Sequence, residues 1–249
     1  MKNEIDCIDN LGKTRTELLK LNLRLGFKNV LTGVDYYRMI EYPIAATLLN
    51  LKKRHKVLDI GSLVSIFPLY LGSKGVYVYA IDINEKVKKL EVHAKKLGIN
   101  LKTTILDATN LHYPDNSFDR VTAISTIEHI LPIENGDIKA MKEIGRVLKD
   151  GGLAVITVPY GKGFSVERRV PFMARRYNKE TIYSRLIEPS GLFPLKIFYF
   201  CDDFGFGKIW YKLLIFMFNP VSFIFSNIFL RVRLVDKNAK GAIVLLQKR

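Results

Sequence analysis

Five short apolar runs, with three stretches of helical character between them, constrain this chain more than any other feature. "KVLDIG", "VYVYAID", "LKTTILD", "FDRVTAIS" and "LAVITVP" have the length and β-branched content of buried strands. Between them lie "SIFPLYLG", where Pro68 fits the first helical turn, the amphipathic "NEKVKKLEVHAKKLG", and "IKAMKEIGRVLKDGG" with its double-glycine stop. Strands separated by helices of this size make βαβ units. The expectation is therefore an α/β fold with a mostly parallel sheet and helices on both faces. Ahead of the first strand, residues 13–26 and 35–52 read as two helices and form an N-terminal cap over residues 1–54. Residues 55–249 form the main domain.

A parallel sheet binds its ligands beyond the carboxyl ends of its strands. Those ends carry polar groups here. Asp59 and Gly61 follow the first strand, Asp82 ends the second, and Asp107 and Ala108 follow the third. Ser125 lies past the fourth strand, with Glu128 and His129 close behind. One acidic strand end is ordinary turn chemistry, but three in succession point to a binding cradle. Asp82 stands about twenty residues after the Gly61 turn, an offset at which a carboxylate accepts hydrogen bonds from a ribose diol. A dinucleotide fingerprint would also need glycines at 63 and 66, where the sequence has Leu63 and Ile66. No phosphate-cradling loop is present. A cofactor with an adenosine moiety and no phosphate fits better.

The stretches "VLDIGS", "VYAIDI", "LDATNLHYPDNSFDRVTAISTIEHI" and "EIGRVLKDGGLAVITVPY" together resemble the class I S-adenosylmethionine-dependent methyltransferases, type 11-like. The resemblance implies a Rossmann-like, mostly parallel seven-stranded sheet. Its last strand, "AKGAIVLLQKR", would be antiparallel. The resemblance also implies site roles. The backbone of Gly61 and Ser62 would hold the methionine part of S-adenosyl-L-methionine, and Asp59 would stand near its amino group. Asp82 would bind the ribose and Ile83 would pack on the adenine. Asp107 and Ala108 would address the adenine edge, and Ser125 would line the floor near the sulfonium. Leu63 departs from the family's glycine-rich loop. A left-handed backbone there costs a leucine about 1–2 kcal/mol, which leaves open a non-catalytic member that binds a membrane or a partner.

An acceptor that holds a proton needs a base. His129 is the first candidate and Glu128 the second; a structural histidine in "IEHI" is the alternative. The formal net charge of +15 favours an anionic partner, although lysines spread over helix faces also explain it. Nucleic acid has only this charge in its favour. Cys7 and Cys201 form no pattern, and no metal site is expected.

Residues 204–235 are the last informative stretch, a hydrophobic insertion of helical character. Wound at about 100° per residue, it gathers Lys208, Lys212, Asn219, Ser222, Ser226 and Arg233 within roughly 80°. Phenylalanine, isoleucine, leucine, Trp210 and Tyr211 fill the rest. Three readings remain open: a helix buried on the sheet or in a dimer, an element lying on an anionic membrane surface, and a membrane span. The expectation is a cytoplasmic chain, peripheral to a membrane under the second reading. Its acceptor would be a small or lipid-like molecule. The sequence sets no oligomeric state.

Overall fold

The computed structural model describes residues 2–26, 34, 36–169, 172–202, 230–234 and 236–249. Its main sheet has eight strands: β1 (Lys56–Ile60), β2 (Tyr77–Asp82), β3 (Leu101–Ile105), β4 (Phe118–Ile124), β5 (Leu148–Pro159), β8 (Phe193–Asp202), β9 (Leu230–Arg233) and β10 (Ala239–Gln247). Their order is β3-β2-β1-β4-β5-β10-β8-β9. Strands β1 to β5 pair in parallel, while β10 lies antiparallel between β5 and β8. The expected antiparallel closing strand is there. An eighth strand joins it because Leu230–Arg233 pairs with Tyr199–Asp202 at the sheet edge. That strand is the end of the stretch read as a helical insertion, and its extended form corrects the reading there. Residues 203–229 of that stretch lie outside the described residues.

Strand periodicity divides the core into two clusters, one on each face. Val57, Val155, Ile243 and Leu245 face one way. Leu58, Ile60, Ala154, Ile156, Val244 and Leu246 face the other. The first face is covered by α1 (Lys2–Leu25), α2 (Arg38–Leu48), α3 (Phe67–Gly72) and α4 (Lys89–Leu97). The second is covered by α5 (Gly136–Val147) and by a helical run through Ile182–Ile187. The N-terminal helices thus share a core with the sheet.

Three polar contacts fix α2 in place, one to α1 and two to the sheet. Pro43 inside α2 has no N–H, so the carbonyl of Met39 loses its helical donor. Arg15 of α1 supplies one instead, Nε to Met39 O at 2.5 Å, and this docks the two helices. At the far end of α2, Arg120 of β4 donates Nε to Leu49 O at 2.5 Å. A basic side chain at a helix C-terminus satisfies a carbonyl left without a partner. Near its beginning, Glu41 reaches the tips of β4 and β5. The helix therefore runs back along these strands, from their carboxyl ends to their start.

A small hairpin follows β5: β6 (Ser165–Arg169) paired antiparallel with β7 (Phe172–Arg176). On the opposite face, α5 packs so closely that a methyl group on Gly145 would lie 1.9 Å from the carbonyl oxygen of Ser190. Overpacking of this kind costs about 1–3 kcal/mol. Gly145→Ala is expected to lower the urea midpoint by that equivalent, and an unchanged midpoint would contradict the close approach.

Candidate functional site

The strand order places the topological switch between β1 and β4, so a crevice opens where their carboxyl ends diverge. Asp59, near the end of β1, is buried. Its Oδ2 accepts from Ser62 Oγ and its Oδ1 from Thr122 Oγ1, both at 2.6 Å. Burial pushes its carboxyl up to about 6, against the pull of those two hydroxyls, and Asp82 adds to the rise. Asp59 is therefore an internal brace joining β1, its turn and β4.

The turn itself is tight. Gly61 adopts φ +74°, and a methyl group there would lie 2.2 Å from Thr126 Cγ2. Both reasons require glycine. The amides of Gly61 and Ser62 donate to Ile81 O at 2.9 and 3.0 Å. Leu63 follows at φ +43°, the left-handed conformation that strains a leucine. Its amide donates to Asp82 Oδ2 at 2.9 Å, while Asn84 N donates to Oδ1 at 2.8 Å. A carboxylate has about four acceptor positions, so Asp82 retains capacity for two more donors. Ile83 beside it is 74% exposed, and Leu63 and Val64 are partly exposed as well. Asp107 is exposed and accepts from Thr109 N at 2.8 Å, which shapes the loop after β3; Ala108 is buried. Asp82, Ile83, Asp107 and Ala108 therefore all lie at neighbouring tips. The amide of Leu106 ties the tips of β2 and β3 through Asp82 O at 3.0 Å.

A second cluster stands past β4 and β5. Ser125 also has φ +43°. Its Oγ and the Oγ1 of Thr157 both donate to Glu41 Oε1, each at 2.8 Å. The other oxygen of Glu41 pairs with Arg38. Glu128 is 1% exposed, and burial pushes its carboxyl up to about 8. Its Oε2 has no hydrogen-bond partner among the described residues. His129 by contrast is exposed, and its Nδ1 donates to Met173 O at 2.7 Å on the hairpin. The histidine is thus engaged in holding the hairpin, while its neighbour points into the interior.

The segment carrying both residues is held by Arg175 of β7. This fully buried guanidinium donates to the carbonyls of Ile127, Glu128, Ile130, Pro132 and Ile133 at 2.8–3.3 Å. Asp137 stands 3.5 Å away as counterion and also binds Arg185 and Tyr177. Sequence reasoning missed Glu41, Thr122, Thr126, Thr157 and Arg175. Glu41 had a signal: it is the one charged residue between Met39 and Asn50. Arg175 had none, because it stands among other arginines in "RRVPFMARRY".

Comparisons with known proteins find methyltransferases among the similar sequences and folds. A family model described as "Methyltransferase domain" matches residues 58–156. Phosphoethanolamine N-methyltransferase 1 of Arabidopsis thaliana is 36% identical over 84 residues, 33% of this chain and 17% of that protein. A ubiquinone/menaquinone biosynthesis C-methyltransferase of Hydrogenovibrio crunogenus is 36% identical over 119 residues, 45% of each. The chain thus spans less than half the length of these curated relatives. Among solved structures, the 1,6-didemethyltoxoflavin-N1-methyltransferase of Burkholderia thailandensis, with S-adenosylhomocysteine bound, aligns at TM-score 0.58 and 15% identity. The alignment covers 84% of this chain and 78% of that one, and it shows a shared fold.

Glu128 gives this site a measurable pH signature. Its folded value of about 8 lies above its ordinary 4.5, so the folded chain holds the proton more tightly. Its contribution to stability is full below about 4.5 and is lost as pH rises through about 8. Relative to Glu128→Gln, the wild-type chain is expected to lose at least about 1 kcal/mol between pH 5 and 8.5, the equivalent of one pK unit. Urea unfolding at both pH values reads this, and parallel profiles would show a solvated carboxyl.

Proposed function

We propose that this chain, which carries a class I methyltransferase domain over residues 58–156, binds S-adenosylmethionine at the tips of β1 to β3 and methylates a small molecule beyond β4 and β5. The observation that carries the reading is Asp82. Its carboxylate stands beside the Gly61 turn, retains free acceptor positions, and has exposed Ile83 as its neighbour. That combination suits a ribose diol and an adenine face. The single-glycine turn suits a methionine tail rather than a pyrophosphate.

The bound sulfonium would supply an already activated methyl group. What remains for the protein is to bring the acceptor into line and shield it. Gly61 and Ser62 would hold the methionine end, with Asp59 acting through the turn it braces. Asp107 and Ala108 would border the adenine. Ser125, set by its bond to Glu41, would form the floor between cofactor and acceptor. The relatives named above methylate nitrogen in one case and carbon in the other, so they do not fix the acceptor atom. Calorimetric titration should show wild-type chain binding both S-adenosylmethionine and S-adenosylhomocysteine. Asp82→Ala should weaken both by about ten- to a hundredfold, the worth of charge-assisted hydrogen bonds. Absence of binding to the wild type would remove the reading.

A lipid-like acceptor met at an anionic membrane surface is the finer reading. It is supported by the one-sided polar face that Lys208, Lys212, Asn219, Ser222 and Ser226 make in the sequence and by the net charge of +15. Arg231 and Arg233, at the end of the same stretch, stand exposed on the edge strand. No helix among the described residues is long and apolar enough to cross a membrane. In flotation with phosphatidylserine-containing liposomes at low salt, the chain should rise with the vesicles and be released by high salt. A chain that stays at the bottom contradicts this reading.

A further inference from the structure

Glu128 is unusual in three respects that do not depend on one another. It is buried past the end of β4, three residues after Ser125. Its Oε2 lacks a hydrogen-bond partner among the described residues, although native interiors rarely leave a carboxylate oxygen without one. And the segment that carries it is clamped by Arg175 through five carbonyls, so its position is fixed rather than incidental. Thr126, two residues earlier, packs on the Gly61 turn that would hold the methionine end. The segment that carries the unpartnered oxygen thus also touches the turn after β1.

We propose that Glu128 takes the proton of the methyl acceptor, and that the acceptor presents an O–H or N–H donor at or beside its reacting atom. The inference rests on the methyltransferase reading above. As the acceptor atom bonds to the methyl carbon, the sulfur–carbon bond breaks and its electron pair stays on sulfur. The acceptor's proton passes to Oε2 of Glu128, and neutral S-adenosylhomocysteine leaves. Burial raises the basicity of this carboxyl and makes it a stronger base than an exposed glutamate. Its charged and titratable surroundings are Arg38 and Glu41 from α2, Arg175 of β7, Tyr177 just after it, and His129, whose Nε2 is 3.8 Å from Oε1. Oε2 is closed to bulk water, and the proposal requires the acceptor group to reach it from the side of Thr126 that packs on the Gly61 turn.

Two probes test this without knowledge of the acceptor. S-adenosylhomocysteine has no group at the position of the transferred methyl. Sinefungin carries a primary amine there, a cationic donor aimed where the acceptor would meet the cofactor. At pH 8.5 the wild-type chain should bind sinefungin about tenfold or more tighter than S-adenosylhomocysteine, as a charge-assisted hydrogen bond requires. In Glu128→Gln that preference should fall to about threefold or less, with S-adenosylhomocysteine affinity unchanged within about twofold. The wild-type preference should also grow from pH 6 to 8.5 as Glu128 ionises, a readout that needs no variant. An equal preference in both chains, or a flat pH profile, overturns the proposal. Failure of the wild type to bind S-adenosylhomocysteine overturns the methyltransferase reading instead.

Discussion

The hydrogen bond from the Leu63 amide to the Asp82 carboxylate holds together the part of the molecule on which the site depends. It fastens the turn after β1 to the tip of β2. It also stabilises a leucine in a left-handed conformation that costs about 1–2 kcal/mol. With that bond in place, the side chain of Leu63 lies partly exposed at the surface, and its backbone does what a glycine's would. The odd residue in the loop is thus tolerated through main-chain geometry.

The three acidic strand ends differ in what they do, because their surroundings differ. Asp59 is buried between two hydroxyls and braces the sheet. Asp82 is half-buried, organises two backbone amides and keeps acceptor capacity. Asp107 is exposed and shapes its own loop. The cluster beyond β4 and β5 is built differently, from residues far apart in the chain. Glu41 arrives from α2, Thr157 from β5 and Arg175 from the hairpin. Each ends on the segment after β4 or on the strand tips beside it. A change in the N-terminal helices or in the hairpin would therefore be felt at Ser125 and Glu128.

Much of the sheet was legible because its order follows from local signals. Apolar runs with β-branched residues marked β1 to β5, and Gly98 marked a helix end; the double glycine did not, since α5 stops at Val147 and Gly151 and Gly152 lie inside β5. The closing strand was recognisable from family resemblance alone. Edge strand β9 was not legible, since an apolar stretch near Leu230 fits a helix or a strand equally well and only pairing with β8 decides. Around the turn after β1, spacing was enough to place Asp82 and Gly61 at one crevice. Beyond β4 and β5 it was not, because Thr122, Thr157, Glu41 and Arg175 converge only through tertiary packing. The choice between His129 and Glu128 turned on burial, which adjacent residues in a sequence do not reveal: one faces solvent and the hairpin, the other the interior.

The central claim is that the tips of β1, β2 and β3 form one adenosine-binding surface. Amide hydrogen exchange with and without S-adenosylhomocysteine tests it most directly. The account expects added protection at residues 61–64, 83–84 and 107–109 together, with β6 and β10 unchanged. Protection confined to some other surface, or none at these three turns, would contradict it.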